Sequence, residues 1–170
     1  MSKRHSQLVM ITGVPGSGKT SSSEALAEAL EPVARVFTDE IRHRVSPYEF
    51  PWVEPEGRRQ HLLGINSACK VAEIYLKGGF NVVMNDVLVP HNYAEYRAFI
   101  ERVGGTTVLL RPPVEVALAR NKAREKDVPE DLISDLHESF QLQDFNVVIN
   151  NSNLTPIEVA KEIKRKLGQV

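Results

Sequence analysis

The stretch of sequence that decides the fold is Gly13-Val14-Pro15-Gly16-Ser17-Gly18-Lys19-Thr20. It fits the pattern G-x-x-x-x-G-K-[ST] at every fixed position. The apolar run Leu8–Ile11 precedes it, and a segment with helical periodicity, Lys19–Leu30, follows it. The sequence therefore predicts a strand, a glycine-rich loop and a helix in succession, which is the arrangement that a phosphate-binding loop requires.

The glycines of this loop allow successive backbone N–H groups to point inward at anionic oxygens, and the following helix adds the partial positive charge of its N-terminus. Lys19 can reach the β and γ oxygens of a triphosphate, and the Thr20 hydroxyl can coordinate Mg²⁺. We therefore predict ATP and Mg²⁺ as cofactors. The residues expected to hold them are Gly13, Val14, Pro15, Gly16, Ser17, Gly18, Lys19, Thr20 and Ser21.

Short apolar runs alternate with longer helical segments around this motif, which is typical of a parallel α/β sheet with helices on both faces. The predicted strands are Leu8–Ile11, Ala34–Phe37, Asn81–Asn85, Thr106–Leu110 and Asn146–Ile149. The predicted helices are Lys19–Leu30, Glu56–Lys77, a segment from about Pro90 to Gly104, Pro113–Lys126, Pro129–Phe140 and Pro156–Leu167. The irregular segment Ser46–Pro55, with three prolines and three aromatic residues, is interpreted as a loop that either walls an acceptor pocket or is pinned on the surface.

The whole chain, residues 1–170, has the length and the 42% hydrophobic content of one globular domain. A formal net charge of −1 gives no general attraction for a phosphate backbone, so we do not expect long duplex nucleic acid as a partner. A short nucleic-acid end is compatible with this charge. The first apolar run is too short for a signal sequence or a membrane span, and we expect a cytoplasmic protein with no membrane partner and an oligomeric state left open.

Two carboxylates follow the second and third strands, at the edge where ligands bind in open parallel sheets. Asp39 can accept the proton of an attacking hydroxyl, and Arg42, one helical turn later, can hold an anionic part of the acceptor. Asp86 can bind the hydration shell of Mg²⁺ or orient the acceptor. Each carboxylate also has a structural interpretation, a helix cap for Asp39 and a turn for Asp86. The acceptor region is expected at about residues 39–77.

Arg120 and Arg124 are four residues apart, so on one helical face their guanidinium groups can point at the same place. Two such cations near the transferring phosphoryl group would neutralise its charge, which predicts a lid over about residues 113–140. The alternative is a solvated face that includes Glu125 and Lys126. Cys69 lies on an apolar helical stripe and is interpreted as an inert buried thiol. The histidines show no metal-binding or triad spacing.

A guanine-specific switch is disfavoured, because Asn121-Lys122-Ala123-Arg124 has arginine where an N-K-x-D sequence places its carboxylate. A motor ATPase is disfavoured because 170 residues leave little room for extra helical domains. The sequence therefore favours a kinase that transfers the γ-phosphate of ATP to a hydroxyl of a small molecule or a nucleic-acid end. Two alternatives stay open: a phosphate acceptor, as in nucleoside monophosphate kinases, and a non-enzymatic ATP-binding module.

These segments together resemble the small P-loop kinases of the AAA-domain-like type. That group includes the kinase domain of polynucleotide kinase, chloramphenicol phosphotransferase, and gluconate- and shikimate-kinase-like enzymes. The resemblance rests on Gly13–Thr20, Thr38–Arg42, Asn85-Asp86, the Arg120 and Arg124 pair, and Val147–Ser152. It implies a three-layer P-loop NTPase sandwich with strand order 2-3-1-4-5, a mobile arginine lid, Asp39 as the general base and Arg42 as an acceptor-binding residue. Asn150 stands where these families commonly have an acid.

Overall fold

The computed structural model describes residues 6–51, 53–124 and 128–168. In these residues one parallel sheet has the strand order β2-β3-β1-β4-β5. The strands are β1 (Leu8–Thr12), β2 (Val33–Phe37), β3 (Asn81–Asn85), β4 (Thr106–Leu110) and β5 (Val147–Ile149). Each predicted strand agrees with its observed bounds to within one residue, and the predicted fold class and strand order are confirmed.

Helices cover the sheet on both faces. They are α1 (Lys19–Glu28), α2 (Thr38–Arg42), α3 (Glu56–Lys77), α4 (Pro90–Val103), α5 (Val114–Lys122), α6 (Glu130–Ser139) and α7 (Pro156–Lys166), and a 3-10 turn (Phe140–Leu142) follows α6. Helix α2 was not predicted as a separate element, because five residues are too few to show a helical period. The helix predicted to reach Lys126 ends at Lys122, and Glu125 and Lys126 lie outside the described residues.

Two buried clusters lie on opposite faces of the sheet, because alternate residues of a strand point in opposite directions. Leu8 and Met10 of β1 pack in the cluster beneath α3 and α4. Val9 and Ile11 pack in the cluster beneath α1 and α7. Strand β1 is therefore buried along its whole length and forms the rigid base of the loop that follows it. None of the helices in the described ranges combines the length and the apolar character needed to cross a membrane.

The register of the strands brings three chain segments to one edge of the sheet. Asn85, the last residue of β3, pairs with Ile11 of β1 and with Phe37 of β2. Because these parallel strands end at the same level, the phosphate-binding loop, α2 and Asp86 emerge side by side. The backbone N–H of Leu88 donates to Thr12 Oγ1 at 3.0 Å, which fastens the segment after β3 to β1.

Candidate active site

Three glycines of the loop between β1 and α1 have a positive backbone φ, and Gly16 and Gly18 are the two nearest to α1. Gly16 has φ +83°, and a Cβ on it would lie 2.1 Å from the carbonyl oxygen of Ala117 in α5. Gly18 has φ +87° and is the N-cap of α1. Because Gly18 has no side chain, it cannot accept hydrogen bonds from the backbone N–H groups of the first helical turn. These N–H groups can therefore donate to a bound anion. The backbone thus has the shape that the sequence motif predicts.

The Lys19 side chain folds back into this loop. Its Nζ donates a hydrogen bond to the carbonyl oxygen of Val14 at 3.0 Å. Burial lowers the pKa of Lys19 to about 8, although the charges of Asp39 and Asp86 act in the opposite direction. The Lys19 amine therefore lies within electrostatic reach of both carboxylates that the sequence singled out.

Asp39 lies in the first turn of α2, and its carboxylate forms an ion pair with Arg42 of the same helix. The N-cap of α2 is Phe37, so the alternative in which Asp39 caps the helix is wrong. The Asp39 side chain is 61% exposed, whereas that of Arg42 is 10% exposed. Burial opposes the charge on Arg42, but Asp39 and Asp86 outweigh it and raise the Arg42 pKa. A fixed cation therefore holds an accessible carboxylate at the sheet edge.

Asp86 is buried and its two oxygens have different partners. Oδ1 accepts from the backbone N–H of Val87 at 2.8 Å, and Oδ2 accepts from the Tyr96 hydroxyl at 2.6 Å. His61 Nε2 lies 3.6 Å from Oδ2. Burial alone would raise the pKa of Asp86, but His61, Arg42 and Tyr96 together lower it. Asp86 is therefore a buried, ionised acceptor of hydrogen bonds.

His61 and Tyr96 are the residues of this site that sequence reasoning missed. His61 lies on α3 and Tyr96 on α4, and neither belongs to a local motif. Each lies on the buried face of its helix, where other polar residues, Gln60 on α3 and Asn92 on α4, are buried as well. His91 extends the group, since its Nε2 lies 3.4 Å from His61 Nδ1.

The predicted magnesium residues offer oxygen donors of the kind that Mg²⁺ prefers. Thr20 is exposed in the first turn of α1, and each oxygen of Asp86 keeps a lone pair beyond its protein donor. In the described ranges no group of three His, Cys, Asp or Glu residues could hold a metal ion. The residues therefore fit a Mg²⁺ ion that takes most of its ligands from phosphate and water, which is the usual mode for this ion.

Arg120 and Arg124 have different neighbours. Arg120 donates to the carbonyl oxygens of Asn151 and Ser152, at 3.2 and 2.9 Å. Arg124 lies beyond the end of α5, close enough to Lys19 for its charge to lower the Lys19 pKa. The expectation that both arginines share one helical face is wrong, because α5 ends between them. Arg124 nevertheless lies beside the phosphate-binding loop.

The loop from Ser46 to Pro55 is irregular, as predicted, and is attached to α3. Gln60 accepts from the backbone N–H of Glu49 at 2.9 Å and donates to the carbonyl oxygen of Pro47 at 3.0 Å. The Tyr48 ring packs edge-on against His43, with ring centroids 4.6 Å apart. Its hydroxyl interacts with Arg42. The loop thus lies beside the Asp39 and Arg42 pair, and Trp52 lies outside the described residues.

A family model described as "AAA domain" matches residues 8–143, which is most of the chain. This chain belongs to the AAA domain family. The match covers the phosphate-binding loop, both carboxylates and the two arginines described above. No curated protein matches the chain.

Solved structures share the fold of this AAA domain over nearly its whole length. The tunicamycin resistance protein of Deinococcus radiodurans is 18% identical, with 97% of each chain covered and a TM-score of 0.74. Shikimate kinase from Bacteroides thetaiotaomicron is 19% identical, with 95% of this chain and 98% of that chain covered and a TM-score of 0.70. The APS kinase of Mycobacterium tuberculosis, in complex with AMPPNP and APS, is 15% identical, with 96% and 98% covered and a TM-score of 0.68. The predicted resemblance to the P-loop kinases is confirmed for family and fold.

Proposed function

We propose that this chain transfers the γ-phosphate of ATP to a hydroxyl group of a small molecule. The observation that carries the proposal is an exposed carboxylate, Asp39, within electrostatic reach of Lys19 in the phosphate-binding loop. An acceptor hydroxyl held between them would have a base on one side and the phosphoryl group on the other. A hydroxyl acceptor needs such a base, and a phosphate acceptor does not.

In the proposed step the hydroxyl oxygen attacks the γ-phosphorus and its proton passes to Asp39. The bond from the γ-phosphorus to the bridging oxygen breaks, and ADP leaves with the electron pair. Arg42, ion-paired with Asp39, orients the base. Lys19 and the N–H groups of the loop hold the β and γ oxygens. Bound Mg²⁺, held by Thr20 and by Asp86 through its water, would neutralise charge on the phosphate oxygens.

The arginines have separate roles in this proposal. Arg124, beside Lys19, neutralises charge on the transferring phosphoryl group. Arg120 donates from Nη2 to the carbonyl oxygens of Asn151 and Ser152, and we assign its contact with the nucleotide to a closed lid.

The acceptor is proposed to bind over the region 39–77, where the Tyr48 hydroxyl meets Arg42. The structures named shikimate kinase and APS kinase support a small-molecule acceptor of this kind. The chemical identity of the acceptor is determined by the loops around the site, and the residues of these loops differ among proteins that share this fold.

The test is ATP turnover with Mg²⁺ against sugar acids, nucleosides, nucleotides, antibiotics and 5′-hydroxyl oligonucleotides. We expect one class to stimulate turnover and Asp39→Asn to lower kcat for that class by about 100-fold or more. Glu40→Gln, an exposed neighbour on α2, serves as the matched control and should keep the parental rate. A nucleotide acceptor with most of the rate left in Asp39→Asn would indicate phosphate transfer instead. Tight ATP binding without any product would indicate a binding module.

A further inference from the structure

A series of buried hydrogen bonds connects Thr38, the residue before the proposed base, to Asp86. Thr38 Oγ1 lies 2.8 Å from the Tyr96 hydroxyl oxygen, which lies 2.6 Å from Asp86 Oδ2. Thr38 and Tyr96 have no solvent exposure, and Asp86 is 5% exposed. Tyr96 comes from α4, so one side chain bridges the residues that follow the carboxyl ends of β2 and β3.

The hydroxyl protons of Thr38 and Tyr96 have one arrangement. Tyr96 donates its single hydroxyl proton to Asp86 Oδ2. The Thr38 hydroxyl must therefore donate to the Tyr96 oxygen. The hydrogen bonds are therefore donated in one direction, from Thr38 to Tyr96 and from Tyr96 to Asp86.

Thr38 is the first residue of α2, and Asp39 follows it directly. A five-residue helix has little stability of its own, and no side chain caps the N-terminus of α2. Its orientation therefore depends on what its residues contact. The Thr38 hydroxyl supplies the bond at the start of the helix, and the packing of Arg42 against Gly64 of α3 supplies the contact at its end.

We propose that Tyr96 is a positioning residue for phosphoryl transfer, which acts through Thr38 to fix the Asp39 carboxylate relative to Asp86. This inference rests on the proposed function, since the position of Asp39 matters for turnover only if Asp39 takes the proton. A shift of about 1 Å in a reacting group can cost about 100-fold in rate. A tyrosine without solvent contact can thus control the chemistry without touching the substrate.

The kinetic test uses Tyr96→Phe, Thr38→Val and the double variant in the full chain, with the acceptor found in the turnover panel. Each single variant should lower kcat by at least about tenfold and leave the KM for Mg·ATP unchanged. The double variant should be no slower than the slower single variant, because both substitutions break the same chain of bonds. Thr38→Ser keeps the hydroxyl and should keep most of the rate.

The matched control is Tyr93→Phe. Tyr93 lies on the same helix, and its hydroxyl donates to the carbonyl oxygen of Asp144 at 2.6 Å. This variant also loses one tyrosine hydroxyl bond, but away from Asp86, and should keep the parental kcat. A parental kcat in Tyr96→Phe, or losses that multiply in the double variant, would overturn the proposal.

A second measurement needs no acceptor. The His43 backbone N–H donates to the carbonyl oxygen of Asp39 at 3.0 Å, so its hydrogen exchange reports on α2. Tyr96→Phe and Thr38→Val should speed this exchange, and Tyr93→Phe should not. If the parental chain phosphorylates no acceptor, the proposed function fails while this exchange still tests Tyr96. Unchanged exchange in both variants would show that Tyr96 does not hold α2.

Discussion

The Asn151 side chain donates a hydrogen bond from Nδ2 to the carbonyl oxygen of Ser17 at 2.8 Å. This bond joins the segment after β5 to the middle of the phosphate-binding loop. Asn151 is 3% exposed, and its backbone carbonyl oxygen accepts a hydrogen bond from Arg120. The neighbouring Asn150 is exposed, and its side chain accepts hydrogen bonds from Ser152. Asn151, far along the chain from the loop, is therefore one of the residues that hold the shape of the loop.

Asn151→Ala should weaken Mg·ATP binding by about tenfold, because the Ser17 carbonyl loses its buried donor and the loop loses its brace. Isothermal titration calorimetry measures the change in Kd. Asn150→Ala is the matched control and should bind ATP like the parental chain. Equal affinities in the two variants would show that the loop keeps its shape without Asn151.

Binding of ATP should become coupled to proton uptake as the pH rises. Burial lowers the pKa of Lys19 to about 8, and a bound triphosphate would raise it again. Above pH 8 the free chain has a largely neutral Lys19, so binding must take up a proton and the affinity falls as the pH increases. Below pH 8 the amine is already charged and the affinity is nearly independent of pH.

Calorimetry in two buffers of different ionisation enthalpy measures this uptake. We expect about one proton at pH 9 and close to none at pH 7. In Lys19→Arg the side chain stays charged, so the uptake should vanish at both values. Zero uptake by the parental chain at pH 9 would contradict either the lowered pKa of Lys19 or its contact with the phosphates.

Gly64→Ala should slow turnover without weakening ATP binding. A Cβ at this position would lie 3.2 Å from Arg42 Cβ, so α2 must move away from α3 to admit it. That shift displaces the ion pair of Arg42 with Asp39, and we expect kcat to fall about tenfold. Asn66→Ala, on the exposed side of the same helix, is the control. A parental kcat in Gly64→Ala would show that α2 tolerates the displacement.

Cys69 should resist alkylation in the folded chain. It packs against the core beneath α3 and α4, and burial raises its pKa to about 12, so the reactive thiolate is scarce at pH 8. Iodoacetamide labelling followed by mass spectrometry should show little modification until urea unfolds the chain. Rapid labelling under native conditions would contradict the interpretation of Cys69 as an inert thiol.

The fold could be predicted from the sequence because its signals are local. The strands are runs of apolar residues, α1 begins at a glycine-rich motif, and the end of α4 is marked by Gly104 in the left-handed conformation. Alternation of strands and helices determines a parallel sheet, whereas the strand order came from the family resemblance. Helix α2 was missed because its five residues are too few to show a period.

The site could be predicted only where its residues follow strand ends. Asp39 and Asp86 were found in this way. Tyr96 and His61 were not, because their contact with Asp86 arises from the packing of α3 and α4, which no local spacing encodes. The separate directions of Arg120 and Arg124 depend on where α5 ends, and helix ends are the least predictable part of a helix.

The contact between Gly16 and the backbone of Ala117 limits how this chain can be redesigned. Helix α5 packs directly against the phosphate-binding loop, because the hydrogen of Gly16 leaves just enough space for the Ala117 carbonyl oxygen. A helix grafted from another protein in place of α5 would need a backbone that approaches position 16 at the same distance. The loop and α5 would therefore have to be exchanged together.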